Sequence, residues 1–291
     1  MNITDQINHE TKIVGIIGHP VKHSYSPMMH NLTFSLQDLN YVYLPFDIPT
    51  SNLKEALKSF NTLGIKGLNV TLPHKEKIIQ YLDHVSEAAA AVGAVNTVVN
   101  ESGLLHGYNT DVQGIVETLN PYKNEIAKST VTVIGAGGAA RSVIFALLRN
   151  FKVEKINIIN RTGERSDSIK DYFNDKMHFR NIETHELMPI ENVQVFKSSK
   201  LIVNTTSVGL YPNVEETPTD ISDSFDKSQI VFDLIYNPIK TKFIKLAESK
   251  GATTLNGLKM FVVQGARSFE YWTGKTMDTK KVLAELNKVL S

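Results

Sequence analysis

The sequence predicts an α/β protein of two domains with mainly parallel sheet, and three observations carry that prediction. Apolar, strand-like runs alternate with segments of helical periodicity along most of the 291 residues, the pattern of βαβ units. A β-prone run at 131–134 enters Gly135-Ala136-Gly137-Gly138-Ala139-Ala140. A helix follows, with Ala140, Val143, Ile144, Leu147 and Leu148 on one face. After Asn256-Gly257 the alternation stops, and two amphipathic helices close the chain. Their apolar stripes need a surface, so they are expected to pack back on the first domain. The expected domains are residues 1–111 with 258–291, and residues 112–257.

Each element has its own signal. Residues 13–17 form a short apolar strand, and the loop after it ends in Ser26-Pro27. That pair suits an N-cap and first helical position for a helix over 27–36. Residues 41–46 alternate like a strand. Leu53, Leu57, Phe60 and Leu63 make the face of a second helix, which Gly64 ends. A strand over 65–70 leads into Thr71-Leu72-Pro73-His74-Lys75, expected to open a helix to about residue 82. An alanine-rich helix over 87–92 stops at Gly93, before a strand over 94–99. Thr110 and Gln113 have capping-box spacing, so a helix over 112–119 starts at the domain junction. Further strands are expected over 155–159, 201–204 and 230–235, with an acidic, turn-rich surface loop over 212–228.

Composition narrows the class. The chain is 42% hydrophobic and 21% charged, which suits a globular protein. Thirty-one basic residues against 30 acidic ones leave a net charge of +1, so no nucleic-acid partner is expected. With no cysteine there is neither disulfide nor thiolate metal site. The spacings of His23, His30 and His74 fit no ligand motif, so no metal is expected. Residues 1–12 lack a leader's apolar core, and no apolar run nears the roughly 18 residues that span a bilayer. Cytoplasmic residence without a membrane partner is the expectation.

The chemistry starts at the glycine turn. Gly135 permits a tight turn, Gly137 lets backbone approach a pyrophosphate, and Ala140 lets helix pack on strand. Free N–H groups at the helix start then face the phosphates, the arrangement of a Rossmann-type dinucleotide site. An acidic residue about 20 positions on usually holds the ribose 2′-OH. Here Asn160-Arg161-Thr162 stands instead, with Arg165 a turn later. A guanidinium suits a 2′-phosphate, which favours NADP over NAD. Read singly, the two arginines are equally solvated loop charges.

Lys75, at an expected helix start, is out of place unless something else dictates it. Burial and the helix terminus would both disfavour its charged form and suit it to proton transfer. Asp111, at the domain junction, could hold that lysine and a substrate hydroxyl. Each also reads blandly, as an exposed helix residue and an N-terminal helix charge. Ser24 and Ser26 offer two loop hydroxyls suited to a carboxylate or sugar-like ligand, and Ser26 doubles as a cap.

Together these stretches resemble the shikimate dehydrogenase family along nearly the whole chain. The carriers are Gly18-x-Pro20-x-x-His23-Ser24-x-Ser26-Pro27, Asn69-Val-Thr-Leu-Pro-His-Lys75, Gly93-Ala-Val-Asn-Thr97 and Asn109-Thr-Asp111. Further on they are Gly135-Ala-Gly-Gly-Ala-Ala-Arg141, Asn160-Arg-Thr162, Asn204-Thr-Thr-Ser-Val-Gly209, Tyr236-Asn-Pro238, Asn256-Gly257 and Gln264. The resemblance implies two α/β domains flanking a cleft, and reversible NADPH-dependent reduction of 3-dehydroshikimate to shikimate in aromatic amino acid biosynthesis. It implies that Ser24 and Ser26 bind the substrate carboxylate with help from Tyr236. Thr71, Lys75, Asn96, Asp111 and Gln264 would surround the ring hydroxyls, with Lys75 the acid/base group and Asp111 beside it. For the cofactor it implies Gly135, Ala136, Gly137, Gly138 and Ala139 at the pyrophosphate, and Asn160, Arg161, Thr162 and Arg165 at the 2′-phosphate. Leu234 and Gly257 would lie near the nicotinamide, with Glu87 a further cofactor candidate.

Relatives that accept quinate and use NAD tend to carry an acid near position 161 or 162, where this chain has Arg161-Thr162. A ligand-sensing regulatory paralogue is the alternative from another class. It would need no acid/base pair and would usually carry an added DNA-binding segment. The expected partner is a small molecule, with the protein a monomer or homodimer.

Overall fold

A computed structural model of the chain describes residues 7–188 and 190–290. Part of the polar start, residues 1–6, lies outside the described residues, as do Pro189 and Ser291. The chain divides into two compact units, one of residues 7–111 with Val262–Val289 and one of Val112–Phe261.

The first unit is built on a six-stranded sheet of order β2-β1-β3-β5-β6-β4. Its strands are β1 (Lys12–Gly18), β2 (Tyr41–Asp47), β3 (Gly67–Val70), β4 (His84–Val85), β5 (Thr97–Glu101) and β6 (Leu104–Tyr108). β1 pairs in parallel with β2 and β3, whereas β5 runs antiparallel to β3 and β6. The sheet is mainly parallel, as expected, because β4 pairs in parallel with β6 and β5 is the one strand that runs against the other five. Ser102 and Gly103, with φ of 54° and 94°, make a two-residue turn between β5 and β6, and so short a link can join only antiparallel strands.

Three helices cover this sheet within the first 92 residues. α1 (Ser26–Leu36) buries Ser26, Met29, His30, Thr33 and Phe34, the i, i+3, i+4, i+7, i+8 stripe of a core-facing helix. Ser26 is its first residue, and Tyr25 takes the cap position without a side-chain bond, so the expected Ser26 cap does not form. α2 (Leu53–Thr62) buries Leu53, Leu57 and Phe60. Leu63 falls past its end and is 71% exposed, so it is not part of the packed face. α3 (Glu87–Val92) is capped by Ser86, whose hydroxyl accepts from the Ala89 N–H, and ended by Gly93 at φ 72°.

The second unit has six parallel strands in the order β12-β11-β10-β7-β8-β9. They are β7 (Thr130–Ile134), β8 (Lys155–Asn160), β9 (Ile182–Glu186), β10 (Leu201–Asn204), β11 (Ile230–Asp233) and β12 (Thr253–Leu255). Renumbered within the unit this is 3-2-1-4-5-6 read from the other edge, the doubly wound dinucleotide-binding order. Its helices are α4 (Asp111–Leu119), α5 (Lys123–Ile126), α6 (Gly138–Ala146), α7 (Gly163–Met177), α8 (Val193–Lys197) and α9 (Lys242–Ser249). The core joins the strand interiors to Ala140, Val143, Ile144 and Leu147, the face predicted for α6.

Two helices close the chain, α10 (Leu258–Thr273) and α11 (Thr279–Leu290). From residue 262 onward α10 packs on the first sheet. Trp272 Nε1 donates to the Val98 carbonyl at 3.0 Å, and a Cβ on Gly67 would collide with the Trp272 ring. Gly265 is equally pressed, against Met29 of α1.

Candidate active site

In the first unit the candidate side chains gather at one edge of the sheet. β1, β3 and β6 end there. β5 runs the other way, so Asn96, just before its start, reaches the same edge. The loop after β1 lies on the turn after β3: His19 N–H donates to the Leu72 carbonyl at 2.9 Å, and Thr71 N–H to the Ile17 carbonyl at 2.9 Å. A Cβ on Gly18 would strike Thr71. This contact holds the start of the loop that carries Ser24 and Ser26 against Thr71. Ser24 Oγ accepts the Ser26 N–H at 3.2 Å. Neither serine hydroxyl donates to a described residue, so two donors are left for an anionic ligand.

Lys75 does not open an α-helix. Residues 71–76 form successive turns, and only a five-residue 3-10 segment, Lys77–Tyr81, follows. The short turns leave no run of aligned peptides, so the helix-terminus argument for Lys75 falls away. Tertiary contacts place it instead. Its carbonyl accepts from Val95 N–H at 2.8 Å, and the buried His74 ring next to it meets the Ile48 carbonyl at 2.7 Å. Burial depresses the His74 pKa, so the ring stays neutral and acts as a post under the turn.

Lys75 Nζ donates to Asp111 Oδ2 at 2.6 Å, with the two side chains 17% and 5% exposed. Asn96 Nδ2 donates to the other carboxylate oxygen, Oδ1, at 2.9 Å and to Gln264 Oε1 at 3.2 Å. A charge pair this sheltered from water is strong and geometrically fixed. The arrangement presents an ammonium beside a carboxylate that has one donor on each oxygen, together with two amides. It can donate a proton to a developing alkoxide while holding neighbouring hydroxyls. Lys75, Asp111, Asn96 and Gln264 are therefore brought together within the first unit, and Thr71, whose carbonyl accepts from the His74 N–H, lies at the start of the turns that carry Lys75.

The second unit assembles the other set where strand order reverses, between β7 and β10. Gly135 has φ 106°, and a Cβ there would lie 2.6 Å from Thr205 Oγ1, so this glycine is demanded by the fold itself. Gly137 is different. Its φ of −118° is ordinary, and a Cβ would meet nothing within 4 Å. Packing gives no reason for glycine here, whereas a ligand lying against the backbone does. The first turn of α6 carries no acid, which keeps its N–H groups available to phosphate.

Asn160, Arg161, Thr162 and Arg165 follow β8, at the same end of the sheet. Asn160 Nδ2 donates to the Thr162 carbonyl at 2.8 Å and closes the turn. Arg161 and Arg165 are exposed, and neither guanidinium bonds to a described residue. Leu234 and Gly257 touch directly: a Cβ on Gly257 would fall into the Leu234 carbonyl, and Gly257 N–H donates to the Ile235 carbonyl at 3.0 Å. Tyr236, offered for the substrate carboxylate, belongs to this unit and stacks on Phe261 at 4.3 Å. Glu87, the further cofactor candidate, belongs to the first unit. It is exposed and the first residue of α3, where a carboxylate suits the helix N-terminus.

Sequence reading gave no role to one network here. Asn204 Nδ2 donates to Asp233 Oδ1 at 3.0 Å, Thr241 Oγ1 donates to Oδ2 at 2.6 Å, and Thr206 N–H donates to Asn204 Oδ1 at 3.0 Å. Asp233 is fully buried, and burial pushes its pKa up to about 6. It ties the loops after β10 and β11 together. The signal was present as an acid ending an apolar strand, followed eight residues on by threonine.

Three family models match along the chain: the shikimate dehydrogenase substrate-binding domain over residues 16–98, shikimate/quinate 5-dehydrogenase over 118–236, and the shikimate 5′-dehydrogenase C-terminal domain over 257–286. A shikimate dehydrogenase (NADP+) of Caldanaerobacter subterraneus is 44% identical over 94% of this chain and 95% of its own length. One solved shikimate dehydrogenase in complex with NADP+ superposes with a TM-score of 0.88, at 37% identity over 98% of both chains. Another, from Listeria monocytogenes in complex with shikimate and NAD, gives 0.83 at 36% identity, over 96% of this chain and 98% of that one. With likeness of this extent in sequence and in fold, the chain belongs to the shikimate dehydrogenase family.

Proposed function

We propose that this protein is an NADP-dependent oxidoreductase that reversibly reduces 3-dehydroshikimate to shikimate, a step toward aromatic amino acids. The observation that carries the reading is the sheltered Lys75–Asp111 pair, 2.6 Å apart and flanked by Asn96 and Gln264. NADPH, when bound, supplies the hydride. Lys75 gives its proton to the carbonyl oxygen as charge develops there, and in reverse the neutral amine takes the proton from the shikimate hydroxyl. Asp111 fixes the ammonium and accepts from a ring hydroxyl. Ser24 and Ser26 donate to the substrate carboxylate, and Thr71, Asn96 and Gln264 hold the remaining hydroxyls. Residues 135–139 cradle the pyrophosphate, with Gly137 leaving the room it needs. Residues 7–111 with 262–289 form the substrate and catalytic domain, and residues 112–261 the cofactor domain.

Arg161 and Arg165 set the choice of cofactor by pairing with the 2′-phosphate. Alanine at both positions is expected to raise KM for NADPH about 10- to 100-fold, allowing for their exposure to solvent, and to leave KM for NADH nearly unchanged. Following NADPH and NADH oxidation in parallel, with 3-dehydroshikimate as substrate, tests both points. Equal rises for the two cofactors would remove the arginines from this role. No turnover of 3-dehydroshikimate with either cofactor would overturn the function itself.

A further inference from the structure

Behind the Lys75–Asp111 pair lies a set of buried polar groups that the reaction does not touch. Tyr43 Oη donates to Asn69 Oδ1 at 2.8 Å, which turns the Asn69 amide nitrogen toward Ser268 Oγ, 2.9 Å away. Ser268 Oγ lies 2.7 Å from Thr97 Oγ1, and Thr97 Oγ1 donates to Asn96 Oδ1 at 3.2 Å. Asn96 Nδ2 then donates to Asp111 Oδ1. Tyr43, Asn69, Ser268, Thr97 and Asn96 are all 5% exposed or less, so water cannot stand in for a lost partner.

Proton counting and distance together set the direction of this chain. Asn69 Oδ1 is spent as acceptor on Tyr43, so Ser268 accepts from Asn69; its one proton has two acceptors, the Gln264 carbonyl at 3.1 Å and Thr97 Oγ1 at 2.7 Å, and the shorter contact favours Thr97. Thr97 in turn gives its proton to Asn96. The Thr110 N–H also donates to Asn96 Oδ1, at 2.7 Å, so the Asn96 carbonyl is claimed from behind and its NH2 faces the site. A flipped Asn96 would set its carbonyl oxygen against the Asp111 carboxylate. Hydrogen bonds aligned head to tail in a dry interior also polarise one another.

We propose that Tyr43, Ser268 and Thr97 are positioning residues: they form one directed donor chain that keeps Asn96 donating to Asp111 and so aims Lys75. This rests on the dehydrogenase reading above. The test is a double-mutant cycle with Tyr43→Phe and Ser268→Ala, read as kcat and KM for 3-dehydroshikimate and KM for NADPH, alongside thermal melting. Each single change is expected to lower kcat about tenfold, the size of one hydrogen bond lost, with KM for NADPH unmoved. The double variant should be no worse than the poorer single, because either change breaks the same chain. Thr97→Val should fall with them and Thr97→Ser should not; this pair preserves shape and serves if Ser268→Ala does not fold. Unchanged or additive effects in an active enzyme would overturn the chain alone. A wild-type protein inactive on 3-dehydroshikimate would overturn the dehydrogenase reading and the chain with it.

Discussion

Replacing Lys75 with alanine is expected to lower kcat for 3-dehydroshikimate reduction about 10²- to 10⁴-fold, the range of a lost general acid. NADPH binding should stay within a factor of about two, because no cofactor group depends on this side chain in the mechanism. The fall has two sources. The proton donor to the carbonyl oxygen goes, and Asp111, 5% exposed, keeps Asn96 as its one side-chain donor among the described residues. Leaving a buried carboxylate short of its cation also costs stability, by up to about 3–5 kcal/mol. Turnover must therefore be measured where melting shows the variant folded, with NADPH affinity followed by fluorescence titration.

Two further substitutions separate proton transfer from charge. Lys75→Arg keeps the cation and a donor, but a guanidinium does not give up its proton near neutrality. It is expected to restore folding and much of the substrate affinity without restoring kcat. Asp111→Asn keeps the shape and loses the anion that fixes the ammonium. Near-normal turnover in Lys75→Ala would remove Lys75 from the chemistry and leave the pair a structural one.

Much of this site was legible because it sits where strands end. An apolar strand running into Asn69-Val-Thr-Leu-Pro-His-Lys75 or Gly135-Ala-Gly137 marks its own termination in the sequence, and in α/β folds ligands gather at such ends. What failed depended on partners remote in sequence. Lys75 reads as part of a helix start, yet its place comes from Asp111, 36 residues away, and from the Val95 N–H. The β5–β6 hairpin escaped although Ser102-Gly103 is a sound turn pair, because the strand after it carries His106 and Gly107 in place of clean alternation. β9 escaped because Ile182 is its only buried residue, leaving no apolar run to see. Ser268 reads as the polar side of an amphipathic helix. Only the fold shows it fully buried among Asn69, Thr97 and Thr110.

His30 is the other residue whose meaning came from the fold, and it leads to a pH dependence. It is fully buried on α1, its ring stacked on Tyr43 at 4.5 Å with Phe34, Phe269 and Trp272 around it. Neither ring nitrogen reaches a partner in good hydrogen-bond geometry, and nearby Asn69 offsets only a little of the burial, which drives the pKa from 6.5 to about 3. A lowered histidine pKa means that the unfolded chain takes up a proton that the folded one refuses. Stability is therefore fully present above pH 6.5 and drains away as pH falls toward 3, by an amount on the order of 5 kcal/mol over the whole window. Asp233 acts in the opposite sense: its pKa, raised to about 6, favours folding as pH falls from there toward 3.8. Comparison with His30→Phe isolates the histidine, since Asp233 contributes equally to both proteins. Denaturant unfolding at pH 7 and pH 4.5 should show wild type losing about 3 kcal/mol more than the variant. Any stability lost to the larger phenylalanine is the same at both pH values and cancels in the difference. Equal losses for the two proteins would mean that His30 carries its proton inside the aromatic cluster.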